Sequence, residues 1–369
     1  MVYIFTICIT FVNQTHPVMK TTIAKRIKSA RVIANLSLRE LSEKMDAVVS
    51  HNAIKKYEDG LMIPDSQVLI HLAKALNVKP DYFFRQFTVE IENIEFRKKS
   101  KTSKKTLNSI REIVTDAIER YVELEQFLNL SPAFHNPIAE QRISNGDDVE
   151  EAVMHLLSIW KVGYNALPNV IELLEDKQIK VIEIKADYNF DGLSGMANEN
   201  IPVIVVNKNF PPERKRLTVL HELGHLLLHF PPDLEPKTIE KLCYRFAGAM
   251  LIPKETFLVE LGTSRRKISI PELIAIKETY GISMQAIMAR AFDLGVISDE
   301  RFILFRRWLN SSEDRRKEIG LGEYINREHS SRFKQLLYRA ASEEIISMSK
   351  AANLANMKLA EFRDELIAI

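Results

Sequence analysis

Apolar residues recur every three or four positions through most of the chain, which is the spacing of helices with one buried face. On this pattern residues 23–86 divide into five short helices, and the first of them carries Ile23, Ile27 and Ala30 on one side. The later helix boundaries are predicted from capping and turn residues, namely the capping box Ser37-Leu38-Arg39-Glu40, then Ser50, Gly60, Asp65 or Ser66, and Pro80.

A seven-residue repeat follows after residue 105. Apolar side chains fill the a and d positions of three heptads, at Leu107, Ile110, Val114, Ala117, Tyr121, Leu124 and Leu128. Three heptads are the minimum that predicts a coiled coil, so a homodimer through the 107–128 helix is one interpretation. The other interpretation is a long helix that packs on its own domain.

Runs typical of strands occur in the middle of the chain, at 179–184, 193–197 and 202–207. Helices are predicted before them from Val149 onward. After them, one helix opens at Pro211-Pro212 and ends before Pro231, a second spans about 238–251, and everything beyond is helical. The predicted fold class is therefore α+β and mainly α.

The length of 369 residues suggests two or three domains. The predicted organisation is an extension or misassigned start, a five-helix amino-terminal domain, a basic linker with the heptad-patterned helix, a domain with a small sheet, and a helical carboxy-terminal domain. The corresponding residues are 1–18, 19–88, 89–147, 148–298 and 299–369.

Composition and charge narrow the class of protein. Two cysteines cannot build a disulfide framework, and no apolar run is long enough to span a bilayer, so we expect a cytoplasmic protein with no membrane partner. The net charge of +2 is unevenly distributed, because residues 19–105 hold 18 Lys and Arg against 10 Asp and Glu. This basic part, rather than the acidic remainder, is expected to contact a polyanion.

The strongest chemical signal is the sequence His221-Glu222-Leu223-Gly224-His225 on a predicted helix. Histidines four residues apart lie on one face of a helix and can present two imidazoles to one ion. Glu222 lies beside them and can take a proton from a water molecule that the metal activates. The HExxH pattern therefore predicts Zn²⁺ as cofactor, with His221 and His225 as ligands and Glu222 as the catalytic residue.

A catalytic zinc site needs a third protein ligand. On a straight helix His229 would lie about 12 Å along the axis from His221, a gap that ligand bonds of about 2.1 Å cannot close. Glu240 borders the apolar stripe of the next predicted helix and can point into the site, although an ordinary surface acid would also fit there. Cys243 lies about one turn beyond Glu240, and as a fourth ligand it would close the site to water.

Further residues on both sides of this motif form a recognisable combination. They are the run from Trp160 to Ile182, Asp191-Gly192, the strand at 202–207, Arg216-Leu217-Thr218, HELGHLLLH, Glu240, Phe246, Ala247, Leu251 and Pro253. In this combination residues 150–255 resemble the ImmA/IrrE family of zinc peptidases. The resemblance implies a zincin-like domain in which Glu240 is the third zinc ligand, as in a gluzincin-like site. Cys243 and Tyr244 stand where the family usually has Ala and Asn.

The amino-terminal helices are similar to the XRE type of helix-turn-helix domain. The matching residues are Ile27, Arg31, Leu38, Leu41, Ser50, Ile54, Tyr57, Glu58, Gly60, Pro64, Leu69, Leu72, Ala73 and Leu76. The resemblance implies DNA as partner and residues 49–58 as the recognition helix. The DNA contacts it predicts are Arg39, Ser50, His51, Asn52, Lys55 and Lys56. The alternative is a helical module that kept the fold and binds protein.

Together these features favour a DNA-binding regulatory zinc metalloendopeptidase. The family resemblance implies that its substrate is an XRE-type transcriptional repressor, whose cleavage would relieve repression of stress or mobile-element genes. We expect the substrate to add as a β-strand to the strand at 202–207. The alternative function is a transcriptional regulator that binds DNA and holds zinc in a structural or sensory site without peptidase activity.

Overall fold

The computed structural model describes residues 17–92, 103–130 and 133–366, and their contacts divide into two compact units. The first unit holds residues 17–90, 103–130 and 333–366 of this described part, and the second holds the remainder. The predicted extension at 1–18 lies outside the described residues except for its last two positions. Most of the basic run in the predicted linker, at 97–102, also lies outside them.

Helices dominate both units. In chain order they are α1 (Pro17–Ile33), α2 (Leu38–Lys44), α3 (His51–Glu58), α4 (Ser66–Leu76), a 3₁₀ helix (Pro80–Phe84), α5 (Lys104–Phe127), α6 (Gly146–Trp160), α7 (Val170–Asp176), α8 (Pro212–Leu227), α9 (Pro236–Leu251), α10 (Lys254–Leu261), α11 (Ile270–Tyr280), α12 (Met284–Asp293), α13 (Asp299–Leu309), α14 (Glu313–Arg316), α15 (Arg332–Ser342), α16 (Met348–Leu354) and α17 (Leu359–Glu365). The strands are β1 (Ile91–Glu92), β2 (Lys180–Ile184), β3 (Gly192–Ala197) and β4 (Ile201–Asn207).

The predicted fold class, α+β and mainly α, is confirmed by these elements. The predicted domain boundaries stay predictions. Of the predicted carboxy-terminal domain, residues 299–332 pack in the second unit, whereas 333–366 pack in the first. No helix among the described residues has both the length and the apolar character that crossing a bilayer requires.

Capping residues set the starts of the amino-terminal helices. The Ser37 hydroxyl accepts the N–H of Glu40, and the Glu40 carboxylate accepts the N–H of Ser37 in return. Ser50 caps α3 in the same way, and Asp65 rather than Ser66 caps α4. Because these side chains satisfy N–H groups that have no partner inside the helix, the boundaries predicted from them are confirmed.

The heptad-patterned helix, α5, packs along α1 within the first unit. Four of its a and d residues are buried in the single chain, namely Ile110, Val114, Tyr121 and Leu124. A buried ion pair adds to this packing, since the Arg26 guanidinium of α1 lies 2.7 Å from the Glu119 carboxylate of α5. The helix therefore packs on its own unit, and a homodimer through it stays a prediction.

The second unit contains a four-stranded sheet in the order β1-β3-β4-β2. β4 pairs with β3 antiparallel on one side and with β2 parallel on the other, so both of its edges carry hydrogen bonds. The prediction that substrate adds to the strand at 202–207 is therefore wrong. Its continuous apolar run, Val203 to Val206, belongs to a central strand whose side chains are buried on both faces of the sheet.

Helix α8 crosses β3 and β4 and turns Val219, Leu220, Leu223 and Leu227 into the core of the second unit. The crossing is close at Gly192, because a Cβ atom there would lie 2.8 Å from the side chain of Thr218 and from the carbonyl oxygen of Val205. Only glycine leaves room for α8 at this point of β3. The motif helix is thereby held against the sheet by its apolar face.

The amino-terminal half of α8 is anchored by Arg216, whose side chain is fully buried. Its guanidinium donates to the Glu328 carboxylate at 2.8 Å and to the carbonyl oxygens of Leu167 and Tyr280 at 2.8 and 3.1 Å. A buried charge is stable only when it is paired and hydrogen-bonded, as it is here. These bonds fix the position of α8 one turn or more before His221 and His225, which follow on the same helix.

Candidate metal centre

The two motif histidines of α8 bring their Nε2 atoms together on one side of the helix. These atoms lie 3.1 Å apart, and the two rings are nearly perpendicular, at 88°. His221 is buried and His225 is half-buried. The motif predicts that histidines four residues apart lie on one face of the helix, and the structure shows their Nε2 atoms close together on that face.

The third side chain comes from α9, which packs directly on α8. The Glu240 carboxylate oxygens lie 3.7 Å from the Nε2 atoms of both His221 and His225. Gly224 allows this approach, because a Cβ atom there would lie only 3.3 Å from the Cα of Cys243 and from the ring of Phe246. The glycine inside the motif thus decides how near the second helix and its carboxylate can come.

The geometry of these three side chains fits a zinc ion. All candidate ligand atoms of His221, His225 and Glu240 lie within 4.8 Å of one another. Two atoms bound to a tetrahedral zinc ion at 2.0–2.1 Å lie about 3.4 Å apart, and the separations of 3.1 and 3.7 Å bracket that value. Two imidazoles and one carboxylate are also the ligand set of open catalytic zinc sites.

His229 is exposed and lies outside this cluster, but not for the reason expected from a straight helix. Helix α8 ends at Leu227, so His229 is no longer helical. Its carbonyl oxygen accepts the N–H of Ile143 at 2.9 Å, in an isolated bridge beside Arg142. The chain leaves the helix two residues before His229 and turns the residue toward solvent.

The motif carboxylate, Glu222, has a partner that the sequence did not reveal. The hydroxyl of Ser194 on β3 donates to Oε2 of Glu222 at 2.7 Å. A hydrogen bond to a charged carboxylate contributes about 1.5–3 kcal/mol and restricts its rotation. Ser194 lies on a predicted strand, but its partner is 28 residues away, and no local pattern signals such a contact.

Cys243 contacts the ring of His225 at Nδ1, the nitrogen that does not face Glu240. Its sulfur lies 3.0 Å from Nδ1 of His225, whereas Glu240 faces Nε2 of the same ring. The two nitrogens of an imidazole point in different directions, so one ring can bind an ion through Nε2 and hold a protein group through Nδ1. Cys243 is buried and free of any disulfide among the described residues. Its sulfur therefore lies at the back of the ring, away from the point where the ligand atoms meet.

Tyr244 covers the other histidine. Its ring lies 4.0 Å from the ring of His221 at an angle of 30°. Desolvation, followed by the negative charges of Asp191, Glu240 and Glu222, raises the pKa of the Tyr244 phenol to about 12. The phenol is therefore a neutral hydrogen-bond donor at neutral pH. In the sequence, Tyr244 is a departure from the family pattern that predicts different packing beside Glu240, but its contact with the His221 ring is not predicted.

The predicted DNA contacts lie around the recognition helix, α3. Arg39, Asn52, Lys55 and Lys56 are exposed, and His51 is half-buried. The Lys55 ammonium forms an exposed ion pair with Asp59 at 2.7 Å, a type of pair that exchanges readily with other anions. The end of α3 is fixed by the Glu58 carboxylate, which accepts two bonds from the Arg31 guanidinium at 2.6 and 2.8 Å. The helix is thus held from its buried side, and its polar side faces solvent.

The hydroxyl of Ser50 accepts the N–H of Ala53 as the cap of α3, so its position as a predicted DNA contact coincides with a structural role.

Comparison with known proteins agrees with both halves of this description. Residues 174–292 match the model of a peptidase family described as the IrrE N-terminal-like domain. Residues 27–83 match the model of a helix-turn-helix family. The chain joins a helix-turn-helix domain to an IrrE N-terminal-like domain. The predicted family resemblance is confirmed in both parts, and no curated protein matches the chain.

The match to the IrrE N-terminal-like domain spans the sheet strands β2–β4, the motif helix and all three candidate ligands. A peptidase-related domain is therefore present in the chain, and the helix-turn-helix domain indicates DNA binding.

Proposed function

We propose that this protein is a zinc metalloendopeptidase in which His221, His225 and Glu240 bind the ion. The observation that carries the proposal is the convergence of these three side chains at separations that suit tetrahedral zinc. Their Nε2 and carboxylate atoms come from two helices whose close packing depends on Gly224. A bound Zn²⁺ would polarise a peptide carbonyl and lower the pKa of water toward about 7.

Glu222 is the proposed general base and acid. It adjoins His221 on α8, and the Ser194 hydroxyl donates to one of its carboxylate oxygens at 2.7 Å, which orients the carboxylate. In this role the Glu222 carboxylate would accept a proton from the attacking water. The carboxylic acid so formed can then pass the proton to the amine of the departing peptide fragment. Protonation of the nitrogen makes the amine a better leaving group when the C–N bond breaks, and no covalent intermediate forms on the protein.

The alternative, a DNA-binding regulator with a closed structural or sensory zinc site, needs a fourth protein ligand. Cys243 is the residue nearest to that role in the sequence. Its sulfur lies against Nδ1 of His225 and not beside the Nε2 atoms that face Glu240, which favours the open site. We therefore prefer the peptidase function to that of a DNA-binding regulator without peptidase activity.

We further propose that the substrate is an XRE-type transcriptional repressor and that the helix-turn-helix domain contacts DNA through Arg39, His51, Asn52, Lys55 and Lys56. The basic charge of residues 19–105 supports DNA rather than protein as the partner of this domain. DNA binding would bring the peptidase to a repressor bound near the same site. The family match supports a protein substrate, and the repressor is the specific form of the proposal.

The test is to incubate the full-length zinc-loaded protein with XRE-type regulators encoded near its gene and to identify products by mass spectrometry. We expect one regulator to be cut at a defined bond. The Glu222→Gln variant should keep its zinc and lose about 10²–10⁴-fold in cleavage rate, because general acid–base catalysis contributes that much. Full activity of Glu222→Gln would contradict the mechanism, and no cleavage of any regulator by the wild type would contradict the substrate.

A further inference from the structure

Helix α9 contributes two side chains that approach the ring of His225 at different nitrogens. Glu240 and Cys243 are three residues apart, so they lie on neighbouring positions of one helix face. Glu240 approaches the Nε2 atoms of both histidines, while the Cys243 sulfur lies 3.0 Å from Nδ1 of His225. One helix thus reaches one histidine ring at both of its nitrogens.

The position of the proton on the His225 ring determines whether Nδ1 donates or accepts in its hydrogen bond with the Cys243 sulfur. A histidine that offers the Nε2 lone pair to an ion carries its proton on Nδ1. In that tautomer the Nδ1–H donates to the Cys243 sulfur. The outer nitrogen of a metal-bound histidine usually donates to a carboxylate, a backbone carbonyl or water, and such partners fix the ring and strengthen it as a ligand.

We propose that Cys243 is a positioning residue for zinc binding, which accepts the Nδ1–H of His225 and holds Nε2 toward the ion. The inference rests on the proposed zinc function of His221, His225 and Glu240. The sulfur is fully buried, and the close approach of the Cys243 Cα to Gly224 restricts any movement of the residue. The packing of α9 on α8 therefore sets the orientation of His225 and the position of Glu240 together.

The experiment compares the zinc affinity of the full-length wild type with that of Cys243→Ala and Cys243→Ser, by competition with a chromophoric chelator. Cys243→Ala removes the acceptor and should weaken zinc binding by about 10–100-fold, the usual effect of losing such a partner. Cys243→Ser keeps an acceptor oxygen and should recover most of that loss. The melting temperatures of the metal-free variants should be similar, so that the affinity difference reports the hydrogen bond and not the fold.

Each result decides a different point. Equal zinc affinity in all three proteins, or an equal loss in both variants, would overturn the role of Cys243 and leave the zinc proposal intact. Failure of the wild type itself to bind zinc would overturn the proposed function and the inference with it. Cobalt substitution adds a spectroscopic check, because an intense thiolate-to-cobalt charge-transfer band would make the sulfur a ligand and contradict the positioning role.

Discussion

The metal centre and the recognition helix are built in opposite ways. The metal centre joins side chains from α8, α9 and β3 that are far apart in the sequence, and most of them are buried or half-buried. The recognition surface lies on and beside one short helix, α3, whose start is set by the local cap Ser50 and whose functional residues face solvent. The metal centre therefore depends on how the helices pack, whereas the recognition surface depends on which side chains are exposed on a helix that is already stable.

This difference predicts how each region responds to substitution. A change of one methyl group between α8 and α9 should disturb the metal centre, because protein interiors have little free space. A change of an exposed side chain on α3 should leave the fold intact and alter only what the surface binds. The predictions below test this contrast from the larger effect to the smaller.

Gly224→Ala should destabilise the second unit by about 1–3 kcal/mol, because the added methyl group meets α9 at 3.3 Å and forces the helices apart. The same displacement should carry Glu240 away from the histidines and weaken zinc binding. Calorimetry of the full-length protein and a zinc titration measure the two effects.

Gly248→Ala is the matched control, since it also adds a methyl group to a helical glycine of this pair. Its Cβ atom would meet only the Arg290 side chain, at an ordinary contact distance of 3.5 Å. The gain in helix propensity, up to about 1 kcal/mol, should then dominate. If both alanine variants were equally stable and bound zinc equally well, the close approach at Gly224 would not control the site.

Ser194→Ala should reduce the cleavage rate by roughly tenfold and leave zinc affinity unchanged, because it removes one hydrogen bond of about 1.5 kcal/mol to the Glu222 carboxylate. Single-turnover cleavage and the chelator competition give the two numbers. A loss of zinc in this variant would show that β3 supports the ligands rather than the general base.

Lys56→Ala should weaken DNA binding without changing stability by more than about 0.5 kcal/mol. If Lys56 contacts phosphate, the salt dependence of binding should fall by about one counterion, and the loss should be the same for all DNA sequences. Lys74, which is exposed on α4 of the same domain, provides the control, and Lys74→Ala should bind like the wild type. Equal losses in both variants would make the effect one of net charge and not of the recognition helix.

The same contrast explains what could be predicted from the sequence. Caps such as Ser37 and Ser50, and the four-residue spacing of His221 and His225, are local signals, and the helices and the histidine pair follow from them. Strand order is not local. The apolar run of β4 indicates burial, but its central place depends on pairing with β2 and β3, so substrate addition to β4 was wrongly expected.

The partners of the site side chains were also beyond local patterns. Ser194 and Cys243 act on Glu222 and His225 through contacts between residues 28 and 18 positions apart. Such contacts depend on how helices and strands pack together, and a local sequence pattern does not predict which of their side chains come into contact. Helix α8 ends at Leu227, and His229 beyond it pairs with Arg142, which is 87 positions earlier in the chain and is likewise not signalled by a local pattern.

The central claim is an open zinc site formed by two histidines and one glutamate. X-ray absorption at the zinc edge of the zinc-loaded full-length protein tests it most directly. We expect two imidazole ligands, with the remaining scatterers being oxygen at about 2.0–2.2 Å, from Glu240 and one exchangeable position. A zinc–sulfur distance of about 2.3 Å would contradict the claim, because Cys243 would then be a ligand and the site would be closed to water.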